Sequence, residues 1–193
     1  PNGYGFEFVE SSAQEREASG KTVYALSLGM LFVFLSLAAL YESWKVPFTV
    51  IFGIPTGFFG ASLAAMAFHV YNDIYFQIGL LTIIGLAAKN AILIVEYAKV
   101  RTDHGMEALQ AAVEASKIRL RPILMTSLAF IVGNIPLALS TGAGANSRSE
   151  MGIAVVFGVL SATIFQIFIV PMLFVVIEHI HGFKRSKKVV TED

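Results

Sequence analysis

A chain of 193 residues that is 55% apolar and only 15% charged, with a mean hydropathy of +0.69, lies outside the range of soluble globular domains. The formal net charge of zero conceals an uneven distribution, because nearly all the charge sits in short connectors, and no nucleic-acid partner is expected. The lack of cysteine excludes disulfides, thiol chemistry and Cys-based metal sites.

Residues 1–20 are polar and glycine-punctuated, and read as the end of an extramembrane, periplasmic domain. The chain opens Pro1-Asn2-Gly3, with neither an initiator Met nor a signal peptide, so a C-terminal piece of a longer polypeptide is expected. Five apolar stretches follow, each long enough for an apolar layer of about 30 Å, which needs about 20 helical residues. They are residues 21–41, 48–70, 74–98, 122–140 and 151–177. The second opens beside Pro47, where a proline suits a helix start. Within it Gly53, Gly57 and Gly60 recur every three or four residues, a pattern that lets helices approach closely in lipid. Pro55 in the same run predicts a kink, serving bundle packing or, alternatively, a hinge.

Residues 102–118 form the longest basic-side connector. Met106, Leu109, Val113 and Leu120 recur at near-helical spacing there, predicting a short amphipathic helix on the cytoplasmic surface. The Gly- and Ser-rich segment 140–150 reads as irregular, and residues 178–193 as a disordered cytoplasmic tail. Ten Lys and Arg residues fall in the connectors of one side and three in those of the other. The excess predicts a periplasmic N-terminal end and a cytoplasmic C-terminus, so the third span descends and the fourth returns.

Lys89 breaks the pattern. It lies near the middle of the third span, where a charge costs roughly 2.5–3.5 kcal/mol on insertion scales, and Asn90 follows it directly. Snorkelling fails, because the cytoplasmic end near Lys99 is about 15 Å away at helical rise. Glu96 is seven residues on, but helical side chains lean towards the N-terminus, so Lys89 points away from it. A partner on another helix is required, and the other four spans carry no carboxylate in their apolar interiors. A lysine facing a carboxylate across a bundle is either a static pair or a proton switch; the depth favours the switch.

The remaining polar residues say less by themselves. Thr126 and Ser127 could reach another helix or bond the carbonyl one turn back, and spacing does not demand contact between Thr126 and Lys89. Arg119 and Arg121 read as positive-side anchors of the fourth span. His69, His104, His179 and His181 have no metal-ligand spacing and read as interfacial. No phosphate-binding glycine loop or nucleophile–base arrangement is present in the sequence, so an enzyme has little support.

The runs LAALYESWKVPFTVIFGIPTGFFGA, NDIYFQIGLLTIIGLAAKNAILIVEYAK and RLRPILMTSLAFIVGNIPLALSTGAG resemble the last five helices of resistance–nodulation–division multidrug efflux pumps. The resemblance extends from about Gly5 to Phe183, and the AKNAIL lysine places it nearest the hydrophobe/amphiphile exporter branch. It implies an all-α membrane protein: five spans of a twelve-helix subunit, homotrimeric in the inner membrane. It also implies a periplasmic adaptor and an outer-membrane channel as partners, with hydrophobic or amphiphilic drugs as substrates. No cofactor is implied, since the proton gradient supplies the energy. In the family, the lysine matching Lys89 pairs with two aspartates on a first-half helix. The threonine matching Thr126 shares that relay, the arginine matching Arg119 lies on its cytoplasmic side, and Asn90 matches a neighbouring polar position. The aspartate-bearing helix has no counterpart here, so the chain holds half of a proton switch. Two other readings stand beside the drug antiporter: a related proton-driven protein assisting protein or lipid export, and an inactive truncated remnant.

Overall fold

The computed structural model describes residues 10–41, 44 and 46–189, with side chains described over 24–41, 44 and 47–179. Residues 1–9 of the expected periplasmic end and 190–193 of the expected tail lie outside the described residues, as do Glu42, Ser43 and Lys45. The described elements are all helices: α1 (Glu10–Tyr41), α2 (Val46–Gly53), α3 (Pro55–Phe68), α4 (Ile74–Asp103), α5 (Ala108–Ala138) and α6 (Ala145–Val189). Counting α2 and α3 as one broken span, five segments are long and apolar enough to cross a membrane: Tyr24–Tyr41, Pro47–Phe68, Ile74–Asp103, Ala108–Ala138 and Ala145–His179.

α6 is the central post, packing against α2, α3, α4 and α5, whereas α1 touches only α2 and α4 among the described elements. The core lies between α4 and α6, where Ile83, Ala87, Ala91 and Ile94 meet Ala154, Val155, Val159 and Ala162. Outward faces are as apolar as the core: Phe32, Met66, Phe168 and Met172 are each more than 60% exposed. Water would not tolerate so much contiguous apolar surface, and lipid does.

The break at Pro55 follows from one missing N–H. Proline cannot donate to the carbonyl one turn back, so the chain tightens. Ile54 N–H bonds the Ile51 carbonyl and Gly57 N–H bonds the Ile54 carbonyl, both at 3.0 Å and both three residues apart. The Gly53 carbonyl thereby loses its helical donor. Thr56 Oγ1 donates to it at 2.7 Å and Gln166 Nε2 donates to it from α6 at 3.1 Å. Ser161 Oγ adds a second tie, donating to the Thr56 carbonyl at 2.8 Å. At Gly60 an added Cβ would lie 2.7 Å from the Phe157 carbonyl oxygen, so only glycine permits this approach of α3 to α6. Two hydrogen bonds from α6 thus tie the break into the bundle.

α4 begins where Asp73 caps it, its carboxylate accepting the Phe76 N–H at 2.8 Å. α3 ends at His69, which takes the left-handed conformation at φ 54°.

Three segments differ from the sequence expectations. The surface helix expected over 102–118 is not separate. α4 runs to Asp103, and Ala108–Ala138 is one continuous helix through Pro122. Its first turns bury Ala111, Ala112 and Ala115, while Leu109 and Val113 stay exposed. Small residues let α5 lie against α4, so the helix has a packing reason to persist before the apolar run starts. The irregular segment after α5 is shorter than expected, because α6 already begins at Ala145, beyond Gly142 and Gly144 at positive φ. At its other end α6 stays helical to Val189, well into the segment expected to be disordered.

Candidate functional site

Adjacent residues on a helix are separated by about 100°, so Lys89 and Asn90 cannot share a face. α4 buries Ile83, Ile84, Ala87, Asn90, Ala91 and Ile94 towards α5 and α6. Lys89 is exposed on the other side, in a groove of about 400 Å³ between α4 and α1. Phe32, Val33, Ser36 and Leu37 form the α1 wall, with Gly85 and Ile92 on α4. Lys89 is the one ionisable residue in that lining. Gly85, one turn back on the same wall, leaves open space beside it, since a Cβ added there would meet nothing within 4 Å. The described ion pairs are Lys99–Asp103 and Arg101–Glu114, and neither involves Lys89. The lysine thus presents an ammonium in an apolar groove with space beside it and no described carboxylate to meet it.

Asn90 does the opposite. It is 5% exposed, and its Nδ2 donates to Ser127 Oγ of α5 at 3.3 Å. Thr163 Oγ1 of α6 lies 2.9 Å from Ser127 Oγ and 2.7 Å from the Val159 carbonyl. A hydroxyl has one proton, so the consistent arrangement runs in one direction. Asn90 donates to Ser127, Ser127 donates to Thr163, and Thr163 donates to the carbonyl one turn back. Three helices are pinned by one buried chain whose donors polarise each other. With Asn90 held inward, Lys89 is turned outward.

Thr126 is exposed and bonds locally, its Oγ1 donating to the Ile123 carbonyl at 3.1 Å. Lys89 and Thr126 are not brought together within the chain. Arg119 is half-buried beside α4, its guanidinium carbon 5.3 Å from the centre of the Tyr97 ring. Its Nε is buried without a hydrogen-bond partner among the described residues. Arg101 lies over the same ring at 5.1 Å, donates from Nη2 to the Tyr97 hydroxyl at 2.6 Å, and pairs with Glu114 at 3.0 Å.

The four residues singled out from sequence therefore occupy three places: an open groove (Lys89), a buried polar chain (Asn90), and the α5 surfaces of Thr126 and Arg119. Sequence reasoning passed over Thr163, Tyr97 and Gln166, and left Ser127 open between another helix and a local bond; the structure gives it the other helices. Gln166, a lone amide in an apolar span, was the one legible signal among them. No group of three or more His, Asp or Glu residues among those described is placed to hold a metal ion.

Compared with known proteins, residues 1–178 match the AcrB/AcrD/AcrF family. The chain is 48% identical, over all 193 residues, to the toluene efflux pump membrane transporter TtgB of Pseudomonas putida. It is 48% identical over 189 residues (97% of the chain) to multidrug resistance protein MdtF of Escherichia coli, and 49% identical over 178 residues (92%) to multidrug export protein AcrF of that organism. It spans 18%, 18% and 17% of these relatives' lengths, respectively.

Proposed function

The chain belongs to the AcrB/AcrD/AcrF family of resistance–nodulation–division transporters, and on that premise we propose that it forms the last five membrane spans of a proton/drug antiporter. The observation that carries the reading is Lys89 in its apolar groove, without an ion-pair partner among the described residues. The relatives' names, as efflux, multidrug resistance and multidrug export proteins, support it. The substrates are hydrophobic or amphiphilic compounds. The subunit works as a homotrimer in the inner membrane, with a periplasmic adaptor and an outer-membrane channel, its C-terminus cytoplasmic.

The chemistry rests on one charge. A carboxylate from a first-half helix enters the groove and pairs with the Lys89 ammonium; in the family this is the aspartate pair. Protonation of the carboxylate from the periplasmic side removes its charge and the attraction with it. The facing helices then part, the proton leaves towards the cytoplasm, and the pair re-forms. Proton transfer is thereby linked to helix displacement, which drives drug export.

Asn90 takes no part as a proton carrier in this scheme. Its amide neither gains nor loses a proton at physiological pH, and its bond to Ser127 makes it the residue that sets the direction of Lys89. Thr126 faces outward on the fourth span; in the scheme it meets the same incoming helix, and Arg119 is set at the cytoplasmic end of the path.

The test is proton-coupled export by the native protein carrying this sequence, purified into vesicles with a fluorescent amphiphile as substrate. Export that follows an imposed pH gradient supports the reading. Export indifferent to the gradient, or a protein that moves no amphiphile, rejects it.

A further inference from the structure

Arg119 is held in an unusual way. No carboxylate among the described residues pairs with it, no described hydrogen bond uses its donors, and its Nε is buried without a partner. What it does touch is the Tyr97 ring, at 5.3 Å from the ring centre. Glu114, the acid of this cluster, is taken by Arg101 at 3.0 Å, and Arg101 is tied in turn to the Tyr97 hydroxyl at 2.6 Å. One aromatic ring therefore faces two guanidinium groups, and the carboxylate is committed to only one of them.

We propose that Tyr97 is the positioning residue of Arg119, holding its guanidinium by the ring face so that its donors stay free for the transport cycle. A carboxylate partner would fix Arg119 as firmly but would neutralise it and occupy two donors. A ring face attracts the cation through its quadrupole and occupies none. The hydroxyl acts separately: it accepts a hydrogen bond from Arg101, which itself pairs with Glu114 at 3.0 Å. Tyr97 stands on α4, eight residues beyond Lys89 and about 12 Å along the axis. Arg119 stands on α5. A displacement of α4 at Lys89 is thus carried by the ring to the cation at the cytoplasmic end. The inference rests on the antiporter reading, and supplies a residue that the sequence did not single out.

Four substitutions in the native protein, reconstituted and assayed per mole of inserted transporter, separate the ring from its bulk and from its hydroxyl. Tyr97→Trp and Tyr97→Phe keep a π face and are expected to transport at close to the unmodified rate. Tyr97→Leu and Tyr97→Met lack one, and their maximal rate is expected to fall by roughly 2- to 30-fold, the range that one cation–π contact spans. The drug KM should stay unchanged, because on this proposal Tyr97 and Arg119 act in proton coupling and take no part in drug binding. Rescue by Met would mean that the ring only fills space, and a Phe variant as defective as Leu would mean that only the hydroxyl matters; either overturns the proposal. Should Leu and Met fail to accumulate, Phe and Trp alone decide, and loss of transport in either refutes it. Lys89→Ala and Arg119→Ala are run alongside. Full transport in both removes the antiporter reading itself, whereas their loss with an unaffected Tyr97→Leu removes only the role of Tyr97.

Discussion

Replacing Ser127 by alanine deletes the middle of the buried chain that joins α4, α5 and α6. Asn90 Nδ2 then loses its described acceptor at a site that is only 5% exposed. Thr163 is less affected, because the Val159 carbonyl at 2.7 Å still takes its proton. Hydrogen bonds between membrane helices contribute about 0.6 kcal/mol on average and at most about 1.7, while an orphaned buried donor costs about 1–3 kcal/mol. The Asn90–Ser127 bond is long at 3.3 Å, which places it towards the weaker end. Ser127→Ala is therefore expected to destabilise the protein by about 1–2 kcal/mol. Thr163→Val should cost less, since Ser127 can then turn its proton to a carbonyl of its own helix. The assay is reversible unfolding of the native protein in mixed micelles, titrated with a denaturing detergent and followed by circular dichroism. A double-mutant cycle of Asn90→Ala with Ser127→Ala should give a coupling of about 0.6–1.7 kcal/mol. Strict additivity, or a larger loss from Thr163→Val than from Ser127→Ala, refutes the chain as drawn.

Other outcomes follow from the same geometry. Gly60→Ala should destabilise by about 1–3 kcal/mol, because its Cβ runs into α6, whereas Gly133→Ala meets nothing within 4 Å and should be neutral or stabilising by up to about 1 kcal/mol; equal effects in the unfolding assay would contradict the packing. Gln166→Met should stay within about 1 kcal/mol, since Thr56 still serves the Gly53 carbonyl and the unpartnered Gln166 Oε1 disappears. Adding Thr56→Val should cost more than the two separate losses together, and simple additivity would argue against a shared acceptor. Cysteines placed at Ser147 and Ser186 should react with an impermeant maleimide from the periplasmic and cytoplasmic sides respectively; the reverse pattern overturns the orientation.

Much of the architecture was legible because lipid imposes a length on each helix, and apolar runs of that length stand out. Lys89 was legible for the complementary reason: a charge at mid-span has few explanations. The partners of Asn90 were not. Ser127 and Thr163 are short polar residues in apolar helices, which most often bond their own backbone, and nothing in their spacing says that α5 and α6 bring them together. That Asn90 and Lys89 face different ways was implicit in the 100° step between neighbours, once a buried face could be assigned. The continuity of α5 was hidden by Pro122, which reads as a helix start although the alanines before it pack against α4. Tyr97 gave no signal, because an aromatic near a membrane edge is ordinary.

The most direct test of the account is the transport rate of Lys89→Ala beside the unmodified protein, in vesicles holding equal amounts of each and under the same imposed pH gradient. The account predicts that gradient-driven export of the amphiphile is lost in the variant, with insertion and assembly unchanged. Export at the unmodified rate would mean that the groove lysine does not carry the coupling, and the proton-switch reading would fall.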